Sequence, residues 1–312
     1  MYTVSNLWKS YEKKAPPVLK GLSFEIHKGE ILGILGVNGA GKTTLIKLLL
    51  RALEASDGSM EFLGTDLAKF PLAQYYQTVS AVLEKDRNVY WYLTGIQNIQ
   101  YFGRLKKLKD GEISEKADRL MRAFDLYDAR NQIAGNYSRG MLQKLSIIIA
   151  MLGNPQVLFL DEPTLGLDVI TKKAVMHNLK QLARQENTTI VLTSHQLDVI
   201  DEITDRVLVL ENGGIAYIGK TSDFKHLYSE NKYTVTMSGR LDKKNSALSG
   251  CTIEEKEATT EIILHNTSNR EINKLISHLL EKDYEIIAFS KDSHRLEDVM
   301  ELFIQRGSDK SA

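Results

Sequence analysis

Gly36-Val37-Asn38-Gly39-Ala40-Gly41-Lys42-Thr43-Thr44 stands between an apolar run, Ile31-Leu32-Gly33-Ile34-Leu35, and a run at helical spacing, Leu45-Ile46-Lys47-Leu48-Leu49-Leu50. Strand, GxxxxGK[ST], helix is the order of a phosphate-binding loop. The glycines let the backbone double back so that successive N–H groups converge on a phosphate. The positive end of the following helix stands behind them. Lys42 adds a full charge toward the β- and γ-phosphates of a nucleoside triphosphate, and Thr43 offers a hydroxyl to Mg²⁺. Gly36, Asn38, Gly39, Ala40, Gly41 and Thr44 complete the expected cradle.

Outward from this loop, the chain of 312 residues is long enough for one large α/β domain and a small one. Forty lysines and arginines balance forty aspartates and glutamates, so net charge implies no basic face and no nucleic-acid partner. The single cysteine, Cys251, excludes an intrachain disulfide framework and reads as a small buried apolar residue. No segment approaches the roughly 20 apolar residues that span a bilayer. The longest, Leu145 to Leu152, reads as a buried helix. Met1 to Asn6 lacks the plan of a signal peptide. The expectation is a cytosolic polypeptide that reaches a membrane only through a partner.

Residues Tyr2–Leu7 and Leu19–Ile26 pattern as strands around the break Ala15-Pro16-Pro17. A helix is predicted over Leu45–Leu53, a turn over Ala55–Ser59 and a strand over Met60–Leu63. Helices dominate residues 84 to about 150, with an amphipathic one at Ile113–Phe124 and one capped by Ser138 that runs to Leu152. Val157–Leu160 and Thr189–Thr193 are continuous apolar runs of the kind buried in parallel sheets. A strand at Val79–Leu83 and helices at Thr171–Gln185 and Leu197–Asp205 are also predicted. A hairpin is read around Glu211-Asn212-Gly213-Gly214. Beyond Lys220 a second α+β domain is predicted. Its strands fall at Tyr233–Met237, Thr252–Lys256, Glu261–His265 and Glu285–Phe289, and its helices at Arg270–Leu280 and Leu296–Gln305.

Two further constellations carry chemistry. The run Val157–Leu160 ends in Asp161-Glu162, which puts two carboxylates at the ligand-binding edge of an open α/β sheet. There Asp161 can hold Mg²⁺ and Glu162 can polarise an attacking water. The second buried run ends in Thr193-Ser194-His195, where a histidine can donate a hydrogen bond to the γ-phosphate.

With these residues in this order, the chain resembles the nucleotide-binding subunit of ABC transporters over about residues 2–220. Gly36–Thr44 resembles the Walker A loop, Val157–Glu162 Walker B with its catalytic glutamate, Leu165-Gly166-Leu167-Asp168 the D-loop and His195 the switch histidine. Tyr137-Ser138-Arg139-Gly140-Met141 stands where the family signature usually reads Leu-Ser-Gly-Gly-Gln. The tail is similar to the small C-terminal domain of bacterial drug and antibiotic export ATPases, down to Leu296-Glu297-Asp298-Val299. The resemblance implies a P-loop NTPase core with antiparallel β and helical subdomains over 1–220, the helical part at about 85–155, and an accessory α+β domain over 221–312. It implies ATP and Mg²⁺ as ligands and ATP hydrolysis with Lys42, Glu162 and His195 as catalytic residues. Asp168 joins the nucleotide-binding set through the D-loop.

The resemblance further implies a dimer in which Ser138 and Gly140 of one copy complete the site at Lys42 of the other, the second copy being identical or a paralogue. A separately encoded membrane permease is engaged near Glu84–Tyr101, which places the subunit on the cytoplasmic face of the membrane. The alternative is a soluble ABC ATPase serving repair, translation or assembly. Tyr11 stands where the family stacks an aromatic on adenine, with Trp8 as the fallback. Two departures stand out. Arg139 replaces a glycine, and its charge either strengthens γ-phosphate binding or points to solvent. Glu84 replaces the Q-loop glutamine, and as a carboxylate it can coordinate Mg²⁺ but cannot donate a hydrogen bond.

Overall fold

In the computed structural model the described residues are 1–12, 15–83, 89–194, 197–227, 233–239, 251–256, 258–264, 267, 269–291 and 296. The chain divides into two compact units, Met1–Thr221 and Ser222–Ala312.

The first unit opens with β1 (Tyr2–Lys9) and β2 (Leu19–Ile26), both alternating buried and exposed positions, as strands with one covered face must. β3 (Ile31–Gly36) is buried through Leu35 and leads through the loop to α1 (Lys42–Leu49). β4 (Asp57–Phe62), β5 (Thr65–Asp66), α2 (Leu72–Thr78) and β6 (Val79–Val82) follow. Three helices come next: α3 (Gly95–Leu105), α4 (Asp110–Ala123) and α5 (Arg139–Met151). Then β7 (Val157–Asp161), α6 (Val169–Glu186), β8 (Thr189–Thr193), α7 (Leu197–Ile203), β9 (Arg206–Glu211) and β10 (Gly214–Lys220) complete the unit. α8 (Thr221–Leu227) starts at the division.

An antiparallel sheet has the order β2-β1-β4-β5, and a second sheet the order β10-β9-β3-β8-β7-β6. In the second sheet every pairing is parallel except β9 with β10, the expected hairpin. One core joins the two sheets: Tyr2, Phe24 and Phe62 from the first meet Ile34, Phe159 and Val191 from the second, with Leu45, Leu48 and Leu49 of α1 among them. Each such side chain contributes about 1.5–3 kcal/mol by leaving water. The two phenols inside this core satisfy each other, Tyr2 to Tyr75 at 2.6 Å, and Tyr75 donates to the Leu49 carbonyl.

Boundaries shift where tertiary pairing outranks local pattern. β4 starts at Asp57, inside the predicted turn, because Ser59 and Asp57 pair with Ser5 and Trp8 of β1. α1 starts at Lys42 and ends at Leu49, where Leu45–Leu53 was expected. α7 stops at Ile203, two residues short of the expected Asp205. α2 was not read from sequence at all.

The second unit holds β11 (Tyr233–Ser238), β12 (Cys251–Glu255), β13 (Thr259–Leu264), α9 (Asn269–Glu281) and β14 (Ile286–Lys291). Its sheet is antiparallel in the order β12-β13-β11-β14. Val235, Met237 and Ile262 from the sheet and Ile272, Leu275 and Leu279 from α9 form its own core. Cys251 is half-buried, and burial pushes its thiol up. Of the helix expected over Leu296–Gln305, only the buried Leu296 is a described residue.

Candidate functional site

The loop between β3 and α1 needs glycine for two reasons. Gly41, the residue before α1, sits at φ 101, and a Cβ there would come within 2.5 Å of Leu19 Cδ2. Gly36, at φ 149, passes so close to β9 that a Cβ would come within 2.5 Å of the Leu210 carbonyl oxygen. Backbone compactness, not only flexibility, fixes these positions.

A cavity of about 340 Å³ opens over this loop. It is lined by Val18, by Asn38, Gly39 and Gly41–Thr44, and by Asp161 and Glu162 from the end of β7. The structure therefore brings the loop and the paired acids together, as parallel pairing of β3 with β8 and β8 with β7 requires. Lys42 is buried, and its amine donates to the carbonyls of Gly36 at 2.8 Å and Val37 at 3.2 Å. Burial lowers its ammonium pKa, with the carboxylates of Glu162 and Asp161 pulling it back up. Ala40 is buried beneath the loop, its N–H donating to the Val37 carbonyl at 3.1 Å.

The Thr43 hydroxyl lies 3.3 Å from Asp161 Oδ2. Asp161 Oδ1 takes a bond of 2.6 Å from the Thr193 hydroxyl, and the Glu162 N–H donates to that same hydroxyl at 3.1 Å. Glu162 is buried and has φ 52, a left-handed conformation that costs a residue with a Cβ about 1–2 kcal/mol. Strain of this kind persists where surrounding bonds over-determine it. Among the described residues no three His, Cys, Asp or Glu side chains form a metal cage. Mg²⁺ is held by one or two protein oxygens together with phosphates, and the hard oxygens of Thr43 and Asp161 fit that pattern.

Tyr11 reaches the rim of the site. Its hydroxyl lies 3.0 Å from Thr44 Oγ1, the residue is 58% exposed, and the Lys9 amine stands 5.6 Å from the ring centre. Trp8 instead belongs to β1, its indole N–H bonded to Asn6 Oδ1 at 3.0 Å.

Ser138, Gly140 and Asp168 do not line the cavity at Lys42. Ser138 caps α5, its hydroxyl accepting from the Met141 N–H at 3.2 Å. Gly140 lets α5 approach α6, since a Cβ would come within 2.8 Å of Thr171 Cγ2. Asp168 caps α6 through the N–H groups of Ile170 and Thr171, at 3.1 and 2.9 Å. The Thr171 side chain and these N–H groups hold its carboxyl below the usual range. Arg139 is exposed, in line with the solvent-facing alternative, and its guanidinium lies against Gly166. Glu84 and His195 lie outside the described residues.

Sequence reasoning overlooked Thr193. The segment Thr193-Ser194-His195 was read for its histidine, and the available signal was a hydroxyl residue closing a buried strand with an apolar middle, Ile190-Val191-Leu192.

The sequence model of the ABC transporter family matches residues 19–165. The ABC transporter ATP-binding protein NatA of Bacillus subtilis (strain 168) is 34% identical over 221 residues, covering 70% of this chain and 89% of that protein. ABC transporter A family member 12 of Arabidopsis thaliana is 33% identical over 247 residues, 77% of this chain but 26% of that longer protein. A solved ATP-binding subunit of an ABC transporter superposes with a TM-score of 0.64 at 27% identity, covering 73% of this chain and 93% of that one. Likeness of this extent to NatA, on a fold that sets the phosphate loop beside paired acids, has one meaning: the chain belongs to the ATP-binding proteins of ABC transporters and is an ATP hydrolase of that type.

Proposed function

We propose that this subunit binds MgATP at Lys42, closes on a second copy of itself or a paralogue, and by that closure powers export through a separately encoded membrane permease. The observation that carries the reading is a division of parts. The cavity over the phosphate loop is lined by Lys42, Thr43, Asp161 and Glu162, whereas the capped start of α5, with Ser138 and Gly140, lies outside its lining. A helix N-terminus with free N–H groups suits a phosphate, so a partner's α5 completes what each chain lacks.

In this reading the Lys42 ammonium neutralises charge on the β- and γ-phosphates and Glu162 takes a proton from the attacking water. His195 senses the γ-phosphate, and Tyr11 packs its exposed ring against adenine. Bound Mg²⁺, held by Thr43 and Asp161 with Glu84 as a candidate third ligand, supplies charge stabilisation on the phosphates. Exposed aromatics follow Glu84, with Trp91 57% and Tyr92 74% accessible, which supports docking of the permease on that segment. Among the described residues no helix is long and apolar enough to cross a membrane, in keeping with a subunit held at the cytoplasmic face by its permease.

The test mixes two inactive chains. Lys42→Ala and Ser138→Arg together form one composite site with both elements intact, and partial ATPase recovery is expected. No recovery from demonstrated heterodimers overturns the shared site.

A further inference from the structure

Thr193 ends β8 with its side chain fully buried. The parallel register sets it opposite Asp161, the last residue of β7. Paired positions on neighbouring strands project to one face, so the Thr193 hydroxyl and the Asp161 carboxylate meet, at 2.6 Å. The same hydroxyl oxygen lies 3.1 Å from the Glu162 nitrogen.

Chemistry fixes the direction of both bonds. An amide N–H can only donate, so the hydroxyl accepts from Glu162, and its one proton is left for the carboxylate, which can only accept when ionised. With Oδ1 engaged in this way, Oδ2 of Asp161 is the oxygen that faces Thr43, at 3.3 Å. The second bond ties down the peptide of Glu162, the residue in left-handed conformation at φ 52. One side chain thus governs both acids, the first through its carboxylate and the second through its backbone.

We propose that Thr193 is a positioning residue of the ATP site: its hydroxyl selects which Asp161 oxygen turns to the metal and fixes the peptide from which the Glu162 side chain departs. The proposal rests on the assignment of Asp161 to Mg²⁺ and Glu162 to water activation. Shape alone is not what Thr193 supplies, because valine has the same branching and nearly the same volume. Removal of the hydroxyl leaves a buried N–H and a carboxylate oxygen each short of a partner.

The full-length protein tests this with a fluorescent ATP analogue, titrated in EDTA and across a Mg²⁺ series, beside steady-state ATPase. Thr193→Val is expected to bind nucleotide in EDTA as the wild type does. Its half-maximal Mg²⁺ concentration should rise about tenfold, the scale of one lost bond to a charged group. Its kcat should fall while KM for ATP stays close to that of the wild type. Thr193→Ser, which keeps the hydroxyl, should return both readouts to within about threefold. If circular dichroism shows Thr193→Val unfolded, Thr193→Cys replaces it, and its weaker donor should give an intermediate shift. A folded valine or cysteine variant with wild-type Mg²⁺ dependence overturns the proposal. So does a serine variant as impaired as valine, since the methyl group would then be what matters. Absence of Mg²⁺-dependent nucleotide binding in the wild type would instead remove the metal assignment, and the proposal with it.

Discussion

The guanidinium of Arg139 occupies the space that a side chain on Gly166 would need. Arg139 is the first residue of α5, where the positive end of the helix disfavours a cation. Gly166 permits the contact twice over, by having no Cβ and by adopting φ 72. With Gly140 against Thr171 and Asp168 capping α6, the start of α5 and the 165–171 segment behave as one packed unit.

Gly166→Ala should therefore displace Arg139 and also strain the backbone by about 1 kcal/mol. ATPase should fall several-fold. Arg139→Gly in the same chain should recover part of that loss, because the clash goes and only the strain remains. A double-mutant cycle on melting temperature and turnover measures the coupling. Strictly additive effects would show that the contact carries no energy.

Glu162→Gln should retain nucleotide binding and lose turnover by about 10²–10⁴, since an amide cannot take the proton from water. Binding of a fluorescent ATP analogue and steady-state hydrolysis separate the two effects. Turnover within twofold of the wild type would remove Glu162 from this role.

Lys106 gives a pH signature of stability. Its amine is half-buried, donates to Ser80 Oγ at 2.9 Å and the Ala150 carbonyl at 3.2 Å, and is lowered to about 8 by burial and by Lys116. Below about pH 8 the amine is charged in both states, and the burial penalty is present in full. Between that value and the ordinary 10.5 the unfolded chain holds a proton that the folded one has released, so stability rises with pH. Wild type should gain on Lys106→Met by about 1.4 kcal/mol for each pH unit crossed in this window. Denaturant unfolding at several pH values checks the slope, and a flat difference would contradict it.

A chain ending at Thr221 should still fold and bind MgATP, because each unit has its own core and every site residue named precedes the division. A folded truncation that fails to bind nucleotide would place part of the site in the second unit.

Sequence pattern placed two strands to the residue. β2 and β8 coincide with Leu19–Ile26 and Thr189–Thr193 because continuous or alternating burial leaves a direct trace in apolar spacing. β4 was misplaced because Asp57, Gly58 and Ser59 have turn chemistry, yet β1 recruits them as a partner strand. The phosphate loop and its acids were legible as types at fixed spacing. Thr193 was not, since its role depends on the register between β7 and β8, which no local window encodes. Arg139 was ambiguous for the same reason: its partner, Gly166, lies beyond the whole of α5 and β7.

β3 sits between β8 and β9, strands that begin at Thr189 and Arg206. During synthesis the phosphate loop and its apolar strand leave the ribosome long before either neighbour has been made. The nascent chain must therefore carry β3 as an unpaired, wholly apolar edge until its late neighbours arrive, an arrangement of high contact order and slow closure. No partial product ending before β8 can assemble a nucleotide site. Premature termination in that interval yields an aggregation-prone fragment, not a weak ATPase.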